Sequence, residues 1–149
     1  MDAFQGLVYG FGVALSLSNL LACLVGVLVG TIVGVLPGIG PIGAMALLIP
    51  STFALSPTTA LIMMSGIYYG SMYGGSTTSI LVNVPGEAAS VVTGIDGYRL
   101  ARKGRAGAAL AVAATGSFVA GTLGIVALMF FAPPLADFAL EFGPPEYLP

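Results

Sequence analysis

The stretch GIYYGSMYGGSTTSILVNVPGEAASVVTGID, residues 66–96, decides how this chain is interpreted. It lies within a strongly apolar sequence, yet it concentrates small hydroxyl side chains, glycines and a Pro85–Gly86 pair. In hydrocarbon, each backbone group that a helix break frees must find a partner inside the protein or in a watery cavity. We therefore interpret the stretch as an interrupted membrane segment that lines a solute or ion site.

The composition indicates an all-α polytopic membrane protein. Of the 149 residues, 57% are apolar and 7% are charged, whereas soluble domains carry about 25% charged residues. Residues 3–86 contain no charged side chain, and neither do residues 106–136. Uncharged runs of this length are typical of chains that cross a lipid bilayer.

Several other functions are excluded by what the chain lacks. It has no His and one Cys, so the usual metal and haem ligand sets cannot form, and no metal site of this kind or cofactor is expected. No nucleophile–base pair and no phosphate-binding loop can be recognised, so we predict no enzymatic activity. A net charge of −2 gives no indication of nucleic acid binding.

The first predicted span, residues 13–36, carries a glycine at every fourth position. Gly26, Gly30 and Gly34 share one helix face, where missing side chains would let another helix approach closely. Helix packing is the simplest explanation of this ladder.

A break follows the ladder at residues 37–41, which have the sequence PGIGP. Prolines remove backbone donors and clash with the preceding turn. An ordinary loop could have this composition, but no charge flanks it and only the apolar piece 42–49 precedes Pro50. A spanning helix needs about 20 residues, so 42–49 is predicted to be a half-helix in a re-entrant segment. The residues expected to shape this break are Pro37, Gly38, Gly40 and Pro41.

The next helix is predicted over residues 58–73, where Ser56–Pro57 is suited to begin it. Gly74–Gly75 is predicted to end this helix, and the hydroxyls that follow can cap the next one. A broken span at 77–96 would then contain a second interruption at residues 83–86, shaped by Pro85 and Gly86.

A half-helix that begins at such a break can hold charged guests. Its free N–H groups attract carboxylates, and unwound carbonyl groups nearby can coordinate Na⁺, as in many secondary transporters. A Na⁺ site would lie near Ser76–Asn83. The residues predicted to bind solute or ion are Ser76, Thr77, Thr78, Ser79, Asn83, Gly38, Gly40, Gly74 and Gly75.

Two carboxylates, Glu87 and Asp96, lie near the second break. Either could couple ion movement to transport or simply cap a helix, because a helix N-terminus stabilises negative charge. For Glu87 the two interpretations remain open at this point.

All four basic residues fall within a single loop: Arg99, Arg102, Lys103 and Arg105. The positive-inside rule predicts that this loop, residues 99–105, is cytoplasmic. A final span is predicted over residues 106–132, which Pro133–Pro134 follows.

These motifs resemble the large membrane subunit of the tripartite tricarboxylate transporters. The resemblance rests on the glycine ladder with LPGIG (36–40), on YGGSTTSIL (73–81) and NVPGE (83–87), and on later pieces in the same order: Ser90, Thr93, DGY (96–98), GRA (104–106) and GPPEY (143–147). It covers nearly the whole chain, and corresponds to the N-terminal portion, about one half, of a longer two-repeat transporter.

The resemblance implies uptake of tricarboxylates or related organic acids by symport with Na⁺ or H⁺ across the bacterial inner membrane. It implies a periplasmic solute-binding protein and a small membrane subunit as partners, in addition to the lipid bilayer. The alternative is a non-transporting multi-pass membrane protein whose glycines and hydroxyls serve only helix packing or complex assembly.

Overall fold

The computed structural model describes residues 3–140, and this range contains helices and turns but no β-strand. The predicted all-α class is therefore confirmed. The GPPEY motif at 143–147 lies outside the described residues. The helices are α1 (Ala3–Ala14), α2 (Leu17–Gly34), α3 (Gly40–Leu48), α4 (Pro57–Val82), α5 (Ser90–Leu100) and α6 (Ala106–Leu140), with a 3₁₀ helix at Ile49–Thr52 and a π-helical turn at Ala101–Arg105.

The helices form two compact units. The first ends at Ala113 and holds α1 to α5 with the first turns of α6, and the second begins at Ala114. The helix contacts and the cavities described below lie in the first unit. Two stretches, Leu17–Gly34 and Ser90–Ala132, are long and apolar enough to cross a membrane.

The side chains are distributed as in a protein that lipid solvates. The fully buried side chains include Ser71, Ser79 and Ser90, whereas Phe118 and Phe130 are each 75% exposed. Lipid tails are as apolar as leucine, so membrane helices associate through small residues and hydrogen bonds rather than through large apolar side chains.

Helices α2 and α4 are in contact through two interlocking glycine ladders. On α2, Gly26 and Gly30 face the backbone of Met63 and Ile67. On α4, a methyl group at Gly66 would lie 2.7 Å from the carbonyl oxygen of Cys23. The remaining rungs have the same geometry: Gly34 against Ser71, Gly70 against Val27 and Gly74 against Thr31. The close approach brings Cα–H groups against carbonyl oxygens, which adds weak hydrogen bonds.

The order of the rungs shows that α2 and α4 run parallel, because residue numbers rise together on both helices. A parallel pair requires a return segment, and α3 with its 3₁₀ extension supplies it. Thirteen residues at helical rise cover about 20 Å, which is less than the roughly 30 Å of a hydrocarbon core.

A hydrogen-bonded clamp joins the N-terminal ends of this pair. Buried Asn19 on α2 donates from Nδ2 to the Val13 carbonyl (2.8 Å) and accepts from the Thr59 hydroxyl on α4 (2.7 Å). Ser56 caps α4 by accepting from the Thr59 backbone N–H at 3.3 Å. The predicted start of this helix at Ser56–Pro57 is therefore confirmed.

The predicted helix end at Gly74–Gly75 is wrong. Helix α4 continues without interruption from Pro57 to Val82, so Ser76 does not begin a new helix. The two glycines serve close contacts instead, since Gly74 faces α2 and Gly75 faces the backbone of Gly86. Within a long helix supported by such packing, the propensity cost of two glycines, about 1 kcal/mol each, does not suffice to break it.

We expect Gly70→Ala to destabilise the folded protein by about 1–3 kcal/mol, the usual cost of overpacking a tight contact. The added methyl group would press on the Val27 carbonyl oxygen and force α2 away from α4. Thermal unfolding in detergent, followed by circular dichroism, measures the change.

Gly107→Ala on α6 is the matched control, because a methyl group there meets no atom within 4 Å. It should leave stability unchanged or raise it by up to about 1 kcal/mol through helix propensity. Equal losses in both variants would contradict the interlocking interface.

Candidate functional site

Two breaks in the helical path lie at the same end of the α2–α4 pair. The first follows α2, where Gly38 (φ 89°) and Gly40 (φ 63°) adopt left-handed conformations that favour glycine. The second follows α4, where Asn83 adopts a left-handed conformation (φ 58°, ψ 30°) and accordingly terminates the helix. Both interruptions were predicted from sequence, at residues 37–41 and 83–86.

An open cleft of about 490 Å³ lies between the two breaks. One wall is the segment Gly38–Ile42 and the other is Pro85–Ala88 with Val91. Segments that are more than 40 residues apart in the sequence thus face each other across one space. Of the predicted site residues, the cleft brings together Gly38, Gly40, Pro41, Pro85, Gly86 and Glu87.

The wall formed by the second break is held against α4 by a contact between two glycines. A methyl group at Gly86 would collide with the Cα of Gly75 and would lie 3.0 Å from the Gly34 carbonyl oxygen. The break therefore packs on both α2 and α4 at the point where these helices touch. This contact fixes where the residues after Gly86 enter the cleft.

Ser90 anchors the backbone of Glu87 at the start of α5. The Glu87 N–H donates to the Ser90 hydroxyl oxygen at 3.2 Å, and that hydroxyl donates to the Glu87 carbonyl at 2.8 Å. Ser90 is 1% exposed. The anchor uses only the backbone groups of Glu87, and no side-chain hydrogen bond caps the start of α5.

The Glu87 carboxylate has no polar partner among the described residues, and its Oε2 is buried. Its Oε1 lies 3.6 Å from the place a methyl group on Gly75 would occupy. Glu87 belongs to the connection between α4 and α5, where burial raises the pKa of its carboxyl above the ordinary value. The absence of a hydrogen bond from the first turn of α5 argues against helix capping as the role of this side chain.

The hydroxyl cluster of the focal stretch is used inside α4. Thr77 donates to the Tyr73 carbonyl at 2.9 Å, and Ser79 donates to the Gly75 carbonyl at 3.1 Å. The Thr78 hydroxyl shares its one proton between the Gly74 carbonyl (3.1 Å) and the Val35 carbonyl (3.2 Å), which links α4 to the end of α2. Such bonds to the carbonyl four residues earlier are a common alternative to ligand binding for helical Ser and Thr.

The remaining predicted residues lie in other places. Ser76 is half-buried on α4, and Gly74 and Gly75 are buried in its contacts. Asn83 is exposed with its Oδ1 near Gly94, and Asp96 is exposed on α5. Arg99, Arg102, Lys103 and Arg105 are all exposed around the turn from α5 to α6. None of these residues contributes to the cleft.

Sequence reasoning missed the apolar residues of the cleft: Ile39, Ile42, Ala88 and Val91. It also missed that the Gly75–Gly86 contact joins α4 to the second break. No local signal distinguishes these residues, because their role depends on two distant breaks meeting in space.

We expect Glu87→Gln to raise the melting temperature of the protein in detergent, and to raise it more at higher pH. The folded state raises the pKa of the Glu87 carboxyl. The folded protein is therefore most stable, with respect to this group, below the ordinary carboxyl pKa of 4.5, and it loses stability as the pH rises through the raised pKa. Glutamine cannot ionise and escapes this loss. Melting curves across a pH series test the trend, and a difference that shrinks as the pH rises would contradict it. Asp96→Asn, which removes an exposed carboxylate, is the control.

Comparison with known proteins adds an independent result. A model of the tripartite tricarboxylate transporter TctA family matches residues 20–149. An uncharacterized 52.8 kDa protein in the TAR-I ttuC' 3' region of Agrobacterium vitis is 61% identical over 147 residues, which cover 99% of this chain and 29% of that relative. The chain thus spans under a third of the length of the relative. No solved structure matches the chain significantly.

Proposed function

Because the chain belongs to the tripartite tricarboxylate transporter TctA family, we propose that it forms part of the membrane subunit of a secondary transporter for tricarboxylates or related organic acids. Membership of a transporter family agrees with the prediction that the chain is not an enzyme. The observation that carries the proposal is the cleft between two helix breaks, with a half-buried carboxylate in its wall whose buried Oε2 has no hydrogen-bond partner among the described residues. Ion and solute sites at interrupted helices are the usual design of secondary transporters.

Glu87 is the residue that we assign to ion coupling. Glu87 is half-buried and its carboxylate has no cationic partner among the described residues, so taking up a proton or a cation such as Na⁺ would stabilise it. An ionised Glu87 would also repel an anionic solute. Loading the coupling ion first removes that repulsion, so ion and solute binding become linked.

The solute would be held by backbone groups that the two breaks leave outside regular helices. Gly38 and Gly40 allow a carboxylate to approach peptide N–H groups without a side chain in the way, because a methyl group at either position would meet no atom within 4 Å. The hydroxyls of Thr77, Thr78 and Ser79 support this arrangement indirectly. Each donates to a backbone carbonyl group, and the bond from Thr78 to Val35 ties α4 to the end of α2. This division of roles replaces the prediction that the hydroxyls themselves bind the guest.

The partners and orientation follow from the same proposal. A periplasmic solute-binding protein would deliver the organic acid, and a small membrane subunit would complete the assembly in the bacterial inner membrane. The loop at residues 99–105 would be cytoplasmic by the positive-inside rule. The remaining part of a full-length subunit would supply the rest of the translocation path.

Glu87→Gln in the complete transporter should abolish uptake driven by an ion gradient while leaving delivery by the binding protein intact. The amide resembles the protonated carboxyl and can no longer change charge. Uptake of radiolabelled citrate into proteoliposomes, with Na⁺ and H⁺ gradients imposed separately, measures the loss and identifies the ion. Asp96→Asn is the matched control, and full gradient-driven uptake by Glu87→Gln would refute the assignment.

Thiol accessibility separates transport from the packing-only alternative. In a Cys23→Ala background, Ile42→Cys and Ala88→Cys should react with a membrane-impermeant, water-soluble reagent, because both positions line the open cleft. Ser79→Cys should stay unreactive, since Ser79 is fully buried in α4. Reaction at neither cleft position would favour a protein whose glycines and hydroxyls only pack helices. Slower reaction in the presence of citrate would add support for a solute site.

A further inference from the structure

We propose that a second cavity, at the turn between α5 and α6, binds an anionic phospholipid. Its phosphate would lie between Arg99 and Lys103, and an acyl chain would follow an apolar wall. The cavity measures about 530 Å³ and lies apart from the cleft described above, with no lining residue in common. The inference does not depend on the proposed transport function.

The wall of this cavity is apolar and comes from three helices. It is lined by Ile80 of α4, by Leu100 of α5, and by Ala109, Val112 and Ala113 of α6. Ile80 and Ala109 are buried, whereas Val112 is 70% exposed, so the wall is open beside α6. A space of this kind suits a hydrocarbon chain better than a small hydrated anion.

The rim of the cavity is cationic. Arg99 and Lys103 line it, and Asp96 is the one acidic residue that does so. Within the described residues, no ion pair neutralises Arg99 or Lys103. Residues 96–105 carry a net charge of +3 and hold every basic residue of the chain. Gly104, in the turn between α5 and α6, has a positive φ of 76°.

The combination of the two surfaces identifies the occupant. A basic pocket between membrane helices, at the side that the positive-inside rule makes cytoplasmic, is suited to the headgroup of an anionic lipid. A soluble phosphate would need buried donors, but both cationic side chains are exposed. The acyl chain of a zwitterionic lipid would fit the apolar wall, but its headgroup carries its own cation and would bind the cationic rim less well.

Native mass spectrometry of the delipidated protein in detergent tests the inference. Phosphatidylglycerol should bind more tightly than phosphatidylcholine with the same acyl chains. Arg99→Gln with Lys103→Gln should weaken phosphatidylglycerol binding by about 30-fold, the effect expected for two cationic side chains near an anionic headgroup. Arg102→Gln with Arg105→Gln removes the same charge from the same turn without touching the cavity, and should change binding by no more than about threefold because of screening.

A second pair of variants tests whether the apolar wall of the cavity contributes to lipid binding. Ala113→Phe should fill the cavity and weaken lipid binding without changing any charge, whereas Ala108→Phe, at an exposed position outside the cavity, should not. Equal loss in the two charge variants would overturn the proposal in favour of diffuse surface attraction. Displacement of the lipid by glycerol phosphate at similar concentrations would overturn it in favour of a phosphate site. Circular dichroism of each variant verifies that its helices are intact.

Discussion

The close approach of two parallel backbones is the constraint on which the first unit of this protein depends. Glycines at every fourth position on α2 and α4 place each helix against the carbonyl groups of the other. In lipid, the hydrophobic effect does not favour helix association. Van der Waals packing and weak polar contacts between the helices must stabilise the pair instead. Once the two helices are joined, the positions of both helix breaks follow, because each break begins where one of these helices ends.

The cleft is a consequence of that pairing. Gly34 closes the ladder on α2 and also contacts Gly86, so packing and site geometry share a residue. Thr78 strengthens the same place by donating to the last turn of α2. A site made of irregular backbone needs rigid neighbours, since peptide groups in a flexible loop would lose their alignment toward a guest. Here the rigidity comes from the contact between two helices and not from the walls of the cleft.

Local chemistry explains which features could be predicted from the sequence. The PGIGP break and the turn at Asn83–Gly86 were predictable because proline and left-handed positions act within a few residues. The continuation of α4 through Gly74–Gly75 could not be predicted, because a glycine pair can end a helix or allow a close contact within it, depending on what lies opposite. The opposing groups are Thr31 and Gly86, one distant in the sequence and the other beyond a turn. The burial of the Glu87 Oε2 atom could not be predicted for the same reason, because it depends on the fold around the second break.

The shortness of the return between the two parallel helices bears on how the protein is made. Gly40–Thr52 reaches only about 20 Å as α3 and its extension, so it cannot leave the translocon as an independent stop-transfer unit. Helix α3 contacts both α2 and α4, so we expect it to insert stably only together with these two neighbours. The smallest piece of the chain that could enter a bilayer as a stable unit is then α2, α3 and α4 together.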